Sequence, residues 1–356
     1  MSTRLADLTT LRVGGPAARF VEASSEAELL AAIQEADAAG EPLLVIGGGS
    51  NLLVGDEGFE GLVLRDGRSS LDTPDVSACA GTTLTVAAGT VWDEVVQHAI
   101  ANRWVGLEAL SGIPGSTGAT PVQNVGAYGQ EVSQSIAQVR VWDRARSRVR
   151  TLALADLGFG YRSSVLKRSM RPTADAPAWH PTPRYVVLDV SFQLRWGDLS
   201  APIAYGELAQ RLGVEIGARV PLAEVRAAVL ELRAGKGMVL DPEDHDTWSA
   251  GSFFTNPILD AEALASIPAE APRWSAGPGL TKVSAAWLIE HAGFSKGFGM
   301  PGPAALSTKH TLALTNRGGA KASDLVALAR TIREAVAERF GVELVPEPVV
   351  IPAGAL

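Results

Sequence analysis

The stretch GSFFTNP, residues 251–257, places a serine hydroxyl beside two phenylalanines and an asparagine. Ser252 has two possible roles. A serine beside a glycine is typical of a turn or a helix cap, and the pattern alone favours that role. The same hydroxyl can instead act as a general acid, which delivers a proton to a reacting carbon.

Two charged residues also stand in contexts that suit chemistry. Arg162, in FGYRSS, is flanked by Phe159 and Tyr161, which predicts a half-buried side chain rather than an ordinary surface arginine. A buried guanidinium needs a carboxylate or an anionic ligand. Glu347 lies between two prolines in VPEPV, so its backbone is rigid, although a plain exposed loop fits the same pattern.

A first glycine-rich stretch, residues 47–51 (GGGSN), follows an apolar run and suits close backbone approach to a phosphate. It is not a Rossmann fingerprint, because Leu52 stands where the last glycine would fall. A P-loop is excluded too, since the Gly235-Lys236 pair has Leu230 where the first glycine belongs. Taken alone, the stretch favours a tight turn.

A second stretch, residues 110–129 (LSGIPGSTGATPVQNVGAYG), changes that interpretation. It has glycines at three-residue intervals and lacks the charged residues of a solvated loop. A covered loop of this kind can neutralise a polyphosphate through backbone N–H groups. Two such loops, each expected to follow a strand, predict a dinucleotide bound outside the Rossmann scheme.

Composition limits the class of protein. The chain has 356 residues, of which 46% are apolar, and 31 basic against 39 acidic side chains give a net charge of −8. This length predicts two or three domains, and the charge argues against a nucleic-acid binder. The single cysteine, Cys79, rules out an internal disulfide, and the five histidines lack metal-site spacing. With no signal-like or membrane-length apolar segment, the sequence predicts a soluble, reduced, cytoplasmic protein that spans no membrane.

Helix and strand patterns alternate along the chain without simple βαβ repeats, which predicts an α+β fold. Ser25 and Glu28 predict a capping box for a helix that ends at Gly40 and buries Leu29, Ile33 and Ala36. Strands are predicted at 42–46, 62–66, 137–143 and 185–195, and the last of these is expected to be half-exposed. Helices are predicted at 90–102, 222–233 and 323–340. The first of these helices should point Val91, Val95 and Ile100 inward, and the last should be capped by Ser323 and stopped by Gly341. Residues 172–183 predict an exposed loop, and Trp287 is expected in the core with Val283.

Several segments together resemble the bacterial UDP-N-acetylenolpyruvoylglucosamine reductase family. They are TLRVGGPA, GGGSNLLV, GLEALSGIPGSTGATPVQNVGAYG, FGYRSSVLK, IAYGEL, LRAGK, GSFFTNP, AAWLIEHAG and LVPEPVVI, in the family's order and over nearly the whole chain. The resemblance implies a flavin fold of the vanillyl-alcohol oxidase type, with FAD held non-covalently and NADPH as electron donor. It also implies FAD-binding subdomains at 1–69 and 70–238, a substrate domain at 239–341, and a tail, 342–356, that returns to the first subdomain.

The resemblance further implies the reaction. The enolpyruvyl group of a UDP-sugar is reduced to give UDP-N-acetylmuramate for peptidoglycan synthesis. Hydride addition to the outer carbon leaves an enol-type dianion that is basic enough to take a proton from an alcohol. Ser252 is then the general acid, and Arg162 and Glu347 hold the developing charge. The catalytic glutamate is carried to Glu347, not Glu343, and Val345 stands where relatives often have another glutamate.

The binding residues follow from the same resemblance. The substrate is expected to contact Tyr205, Lys236, Asn256 and His310, although His310 is equally compatible with an ordinary strand-edge histidine, and Tyr205 indicates the subgroup with a tyrosine loop over the nucleotide. The residues expected to bind FAD are Gly47, Gly48, Gly49, Ser50, Asn51, Gly112, Ile113, Pro114, Gly115, Gly118, Ala119, Gln123, Asn124, Gly126, Ala127, Tyr128 and Arg162.

Two alternatives stay open at this stage. One is an FAD-linked hydroxy-acid oxidase or dehydrogenase with the same fold, and the other is a non-catalytic nucleotide-binding module. No histidine or cysteine lies in either glycine loop, which argues against a covalently tethered flavin, and the set of Arg162, Ser252 and Glu347 argues against the inactive module. The expected partners are a UDP-sugar and NADPH, with no nucleic acid or membrane, and the expected state is a monomer.

Overall fold

The structure is a computed structural model that describes residues 3–77, 81–174 and 177–356. Cys79, and with it the argument about disulfides, lies outside this part of the chain. The chain divides into two compact units. Unit 1 comprises Met1–Pro16, Gly49–Phe59 and Leu240–Leu356, and unit 2 comprises Ala17–Gly48 and Glu60–Val239. The three domain limits expected from the sequence stay a prediction.

The elements are mixed helix and strand, as the sequence predicts. The strands are β1 Ala17–Ala23, β2 Leu43–Ile46, β3 Leu52–Val54, β4 Phe59–Asp66, β5 Leu71–Ser77, β6 Gly81–Ala87, β7 Trp104–Val105, β8 Gly126–Ala127, β9 Gln130–Glu131, β10 Ile136–Asp143, β11 Arg148–Ala153, β12 Tyr185–Trp196, β13 Ile258–Leu259, β14 Arg273–Ser275, β15 Thr281–Val283, β16 Ala304–Leu306, β17 Leu314–Asn316 and β18 Val349–Ile351. The α-helices are α1 Glu26–Ala39, α2 Trp92–Ala101, α3 Leu154–Leu157, α4 Val165–Arg168, α5 Gly206–Leu212, α6 Leu222–Gly235, α7 Ala261–Leu264, α8 Ala285–His291 and α9 Ala322–Phe340.

The described part of unit 2 contains a small sheet, a larger sheet and the two-stranded pair of β8 with β9. A three-stranded sheet has the order β1-β4-β2, with β2 and β4 parallel. A larger antiparallel sheet has the order β11-β10-β12-β6-β5, and β7 pairs with β12. The first glycine loop begins where β2 ends. The second follows a 3-10 turn at Glu108–Leu110 rather than a strand, so the expectation of a strand before each loop holds only for the first.

Helix α1 has the predicted ends and the predicted buried face. The Ser25 hydroxyl accepts the Glu28 N–H, and Gly40 adopts a left-handed conformation with φ of 64°. Leu29, Ile33 and Ala36 are fully buried. They pack in a cluster with side chains of β2, β4, β10 and β12, so the helix covers one face of the sheets.

Two sequence predictions in unit 2 are wrong. β12 is not half-exposed along its length, because Val186 and Leu188 join the cluster around α1 while Val187 and Val190 join a second core. Val91 does not point inward; it is 50% exposed, because it is the N-cap residue of α2 and Trp92 takes the buried position.

Unit 1 has a large core, and the end of the chain is part of its framework. Helices α8 and α9 contribute to the core together with Phe253 and Phe254. β18 pairs in parallel with β3, with Val349 opposite Leu52 and Ile351 opposite Val54. Trp287 is partly buried against the core, rather than inside it, and contacts the ring of Phe340.

The last long helix ends at Gly341 as predicted, but Ser323 is not its cap. α9 begins at Ala322, and its N-cap residue is Lys321. The first two N–H groups, of Ala322 and Ser323, donate to the carboxylate of Asp56 at 2.7 and 3.1 Å. Burial alone would raise the pKa of Asp56, but hydrogen bonds from Ser323 and Ala322 outweigh it and lower that pKa. A residue distant in sequence therefore caps the helix.

The helices of the described residues, 3–77, 81–174 and 177–356, include none that is long and apolar enough to cross a membrane. α9, the longest, has 19 residues and carries charged residues along its length.

We expect Asp56→Ala to lower the free energy of unfolding by about 1 kcal/mol, because two N-terminal N–H groups of α9 lose their acceptor. Ser323→Ala is the matched control, since it keeps the Asp56 carboxylate, and it should cost clearly less. Urea unfolding of the two variants measures the difference. Equal losses would show that the helix is capped by its own serine.

Candidate functional site

Ser252 lies in a segment whose neighbours hold it rigidly. Phe253 and Phe254 are buried to 0% and 1% exposure and pack edge to face, with ring centroids 5.1 Å apart. The Phe253 N–H donates to the Leu312 carbonyl at 2.7 Å. The two phenylalanines therefore anchor the segment in the core of unit 1, and the half-buried Ser252 precedes that anchor.

The end of the chain brings Glu347 to the same segment. The Glu347 N–H donates to the Phe253 carbonyl at 2.8 Å, and the Thr255 N–H donates to the Val345 carbonyl at 3.0 Å. The Asn51 side-chain amide donates to the Glu347 carbonyl at 3.3 Å. One backbone hydrogen bond thus links Glu347 to the residue that follows Ser252, although Ser252 and Glu347 are far apart in sequence.

His310 also lies beside Ser252. Its Nε2 atom is 3.3 Å from Ser252 Oγ, and the histidine sits in the connection between β16 and β17. Asn256 is further along the same segment, where its side-chain oxygen accepts the Ala285 N–H at the start of α8 at 2.9 Å. Unit 1 therefore gathers Ser252, His310 and Glu347 around one segment.

In unit 2 the two glycine stretches touch each other. A Cβ atom added to Gly48 would lie 2.8 Å from Gly115 Cα, and one added to Gly47 would lie 2.1 Å from Ser116 Oγ. The Gly115 backbone leaves no room for a side chain at Gly48, whereas a side chain at Gly47 would require the Ser116 hydroxyl to move. Gly49, Ser50 and Asn51 belong to unit 1, where a Cβ on Gly49 would lie 1.8 Å from the Leu8 carbonyl oxygen.

The second glycine stretch is a covered loop, as predicted. Within residues 110–129 only Pro114, Ala119 and Gly129 are exposed. Some of its amides already donate inside the protein: Gly112 N–H to Asp93 at 2.7 Å and Gly118 N–H to the Ala88 carbonyl at 2.8 Å. These two glycines serve the close packing of the loop.

The other residues expected at the cofactor lie along the same loop. Ile113 and Ala127 pack partly buried against the core of the large sheet. Gln123 accepts a hydrogen bond from Lys167 at 2.9 Å, and the buried Asn124 donates to Glu131 at 2.7 Å.

Arg162 is half-buried, as predicted, and has a strained backbone. Its φ of 51° is unusual for a residue with a side chain, and the hydrogen bonds between Gly160 and Ser163 close a tight turn around it. The guanidinium donates to the Gly126 carbonyl at 2.9 Å and to the Asn124 carbonyl at 3.4 Å. The turn therefore holds the arginine against the second glycine loop.

Tyr205 and Lys236 lie together with Tyr128 in unit 2. The rings of Tyr128 and Tyr205 meet edge to face at 5.7 Å, and Lys236 Nζ lies 5.6 Å from the Tyr128 ring centre. Burial raises the pKa of Tyr128 to about 12, so its hydroxyl stays protonated at neutral pH. Tyr205 is 44% exposed, and Glu207 pairs with Lys236 at 2.5 Å.

The glycine contact in unit 2 fits FAD. A pyrophosphate needs backbone N–H groups that no side chain covers, and the touching glycines keep side chains away from both loops. Cations also border the second loop despite the negative net charge: Arg233 donates to the Gly112 carbonyl at 3.2 Å, and Lys167 contacts Gln123. Neither cation was predicted from the sequence, although LRAGK and FGYRSSVLK contain them.

Two family models match the chain. The FAD binding domain matches residues 17–153, which include both glycine loops. The C-terminal domain of UDP-N-acetylenolpyruvoylglucosamine reductase matches residues 241–351, which include Ser252, His310 and Glu347. Arg162, Tyr205 and Lys236 lie between the two matched segments.

Curated relatives match nearly the whole chain. UDP-N-acetylenolpyruvoylglucosamine reductase of Cutibacterium acnes is 54% identical over 97% of this chain and 88% of its own length. This chain belongs to the UDP-N-acetylenolpyruvoylglucosamine reductase family. The enzyme of the same name from Thermobifida fusca is 52% identical over 98% of this chain and 96% of its own. A crystal structure of the enzyme from Thermus caldophilus has a TM-score of 0.64 at 27% identity, covering 99% and 98% of the two chains.

Family membership confirms the resemblance drawn from the sequence motifs, the α+β class and the FAD-binding domain followed by a separate C-terminal domain. It also decides against the hydroxy-acid oxidase alternative. The reductase family uses FAD, with NADPH as reductant. The individual cofactor, substrate and catalytic residues stay predictions, supported by the placements described above.

We expect Gly48→Ala and Gly115→Val to yield protein with little bound flavin. The first adds a carbon 2.8 Å from the facing backbone, and the second puts a β-branched residue at a φ of 116°. Flavin absorbance per protein measures the effect, and loss of the bound cofactor should also lower thermal stability. Gly319→Ala is the control, since nothing lies within 4 Å of its added carbon. Full flavin content in both loop variants would contradict the loop assignment.

The start of α2 holds the second glycine loop through Asp93. Its carboxylate accepts the Gly112 N–H and a bidentate pair from Arg226 at 2.8 and 2.7 Å. Burial alone would raise the pKa of Asp93, but Arg226, Gly112 and Gln97 outweigh it and lower that pKa from 3.8 to about 2.

We expect Asp93→Asn to lower the free energy of unfolding by about 2 kcal/mol at neutral pH. Because the folded-state pKa lies below the unfolded value of 3.8, the contribution is complete above about pH 5 and is lost as the pH falls toward 2. The gap between wild type and variant should therefore shrink by about 1 kcal/mol between pH 5 and pH 3 in urea titrations. A gap that stays constant over this range would show that the Asp93 carboxylate is not stabilised by folding.

Proposed function

We propose that this chain reduces the enolpyruvyl group of a UDP-N-acetylglucosamine enolpyruvate to UDP-N-acetylmuramate, a peptidoglycan precursor, with Ser252 as proton donor. The observation that carries the proposal is the hydrogen bond between Phe253 and Glu347, in a chain that matches the reductase family almost end to end. This bond supports a common role for Ser252 and Glu347, two polar side chains that lie 95 positions apart (347 − 252).

When bound, FAD supplies the hydride chemistry, with NADPH as the source of electrons. The protein must then hold the enolpyruvyl carboxylate and provide one proton. Hydride addition to the outer carbon makes the inner carbon basic. The Ser252 O–H bond breaks, and its proton forms the C–H bond at the inner carbon.

Arg162 and Glu347 are proposed to stabilise the charge that develops on the substrate carboxylate. The strained turn at Arg162 supports this role, because a guanidinium fixed by two carbonyls needs little reorganisation when charge appears. Glu347 is fixed through its own backbone on both sides, by Phe253 and by Asn51.

The UDP portion is proposed to bind at Tyr205, Lys236 and Asn256, whereas His310, the fourth residue expected at the substrate, contacts Ser252 instead. In unit 2, Lys236 supplies a cation for the diphosphate, and Glu207 holds that cation in place. Tyr205 is the N-cap residue of α5 and is exposed enough to move over a nucleotide, with the neutral Tyr128 as its neighbour.

The flavin is proposed to contact the two glycine stretches through backbone N–H groups, and the protein is proposed to work as a cytoplasmic monomer. NADPH and nucleotide sugars are small soluble reactants, which supports that compartment. Sedimentation at working concentration tests the monomer.

Ser252→Ala should be reduced by NADPH at close to the normal rate, because that half-reaction needs no proton from this hydroxyl. Its reoxidation by the enolpyruvyl nucleotide should slow by a factor of about 10² to 10⁴. Ser252→Cys should recover part of the loss, since a thiol also donates a proton. Stopped-flow absorbance follows the two half-reactions separately.

Thr255→Ala is the matched control for this prediction. Its hydroxyl lies in the same segment but donates to the Val345 carbonyl, so both half-reactions should stay near wild type. If Ser252→Ala reoxidises as fast as wild type, Ser252 is a turn residue and water or another group provides the proton. If no variant, wild type included, reoxidises with the enolpyruvyl nucleotide, the proposed activity itself fails.

A further inference from the structure

The position of His310 beside Ser252 determines which of the two side chains donates the hydrogen bond between them. The 3.3 Å separation of Ser252 Oγ and His310 Nε2 places an imidazole at the oxygen that has to lose a proton. A serine hydroxyl has one hydrogen, and the proposed function requires that hydrogen to point at the substrate. The oxygen can then only accept from the ring, so the histidine must be the donor.

The turn that carries His310 is rigid. The hydroxyl of the buried Ser307 accepts the N–H groups of Lys309 and His310 at 3.0 and 3.3 Å. The Ala313 N–H donates to the His310 carbonyl at 3.1 Å, which closes the turn. An ordinary histidine at a strand edge needs no such framework.

A buried carboxylate holds the same turn from the other side. Asp246 accepts the Thr308 N–H at 2.9 Å and the Thr308 hydroxyl at 2.5 Å, and pairs with Arg317 at 2.8 Å. Lys309 is tied to Asp244 at 2.6 Å. Both residues that precede His310 are therefore fixed by acidic side chains.

The Ser252 segment and the His310 turn are also joined directly. The Phe253 N–H donates to the Leu312 carbonyl at 2.7 Å, so the residue after the serine bonds to the strand entry that follows the histidine. This bond fixes the register of the two segments. The backbone arrangement therefore brings the Ser252 hydroxyl and the His310 imidazole together. Catalytic hydrogen bonds of this length in a ligand-free enzyme commonly shorten when substrate binds.

We propose that His310 is a positioning residue that donates its Nε2–H to Ser252 Oγ and thereby aims the serine proton at the substrate. While the O–H bond breaks and the C–H bond forms, the histidine hydrogen bond stabilises the alkoxide oxygen. That oxygen then takes a proton from water, and the imidazole is unchanged across the step. This inference rests on the proposed function of Ser252.

A double-mutant cycle tests it, with His310→Ala, Ser252→Ala and the double variant. His310→Ala alone should slow reoxidation by the enolpyruvyl nucleotide by about 10- to 100-fold, the effect of losing a hydrogen bond to a developing charge. Reduction by NADPH should stay near normal. In the Ser252→Ala background the same change should cost less than about twofold, since its target is gone. His310→Gln, which keeps a side-chain N–H donor, should recover most of the rate.

Binding provides a readout separate from turnover. Calorimetric titration of the oxidised proteins with the enolpyruvyl nucleotide should give nearly the same Kd for wild type and His310→Ala. A large loss of affinity would make His310 a direct substrate contact and overturn the inference. His291→Ala is the control, because that histidine stacks on Trp287 at 3.6 Å and should leave both half-reactions unchanged.

The outcomes separate the two proposals. If Ser252→Ala is slow and the two losses multiply in the double variant, the proton donor stands and the role of His310 is overturned. If Ser252→Ala is as fast as wild type, the proposed function of Ser252 fails, and the inference fails with it. If His310→Gln is as slow as His310→Ala, hydrogen-bond donation is not what the ring contributes.

Discussion

One backbone hydrogen bond, from the Glu347 N–H to the Phe253 carbonyl, joins the end of the chain to the segment that begins the last third of it. Ser252 precedes the acceptor residue, and Glu347 is the donor residue, so the relative position of the two side chains depends on this bond. The surrounding structure maintains it. Two buried phenylalanines anchor one side, and the pairing of β18 with β3 anchors the other.

Backbone rigidity suits the proposed chemistry. A serine is a weak acid, so it protonates carbon only when the carbon is strongly basic and the hydroxyl is already aimed at it. In unit 1 the direction of the Ser252 hydroxyl is set by fixed backbone in three places: the Ser252 segment, the Glu347 tail and the His310 turn. The buried Asp246 network, which contacts the turn and not Ser252, belongs to this framework.

Unit 2 contains most of the matched FAD-binding domain, and FAD is an anionic cofactor whereas the protein has a net charge of −8. In the proposed cofactor site, Gly48 and Gly115 leave no space for a side chain between the two stretches. Arg233 and Lys167 add local positive charge at the second stretch. Asp93 and Arg226 hold the start of that stretch to α2 and α6, so this part of the loop is fixed although it lies outside the sheets.

Much of this could be predicted from the sequence, because it rests on local pattern. The ends of α1, the extent of β10, the burial of Leu29 and Ile33, and the covered second glycine loop follow from capping residues, periodicity and a lack of charge. The family followed from nine motifs in order. The predicted cofactor and reaction came with the family rather than from any one residue.

The tertiary structure decided what depends on residues distant in sequence. Ser323 looks like a helix cap, but the carboxylate of Asp56 reaches the helix first turn and takes that role. β12 alternates like a half-exposed strand, yet both faces of its first half are covered by separate cores. For the same reason no pattern around His310 predicts its place 3.3 Å from Ser252 Oγ. A sequence specifies each local preference, whereas a contact between segments 58 positions apart exists only once the chain between them has folded.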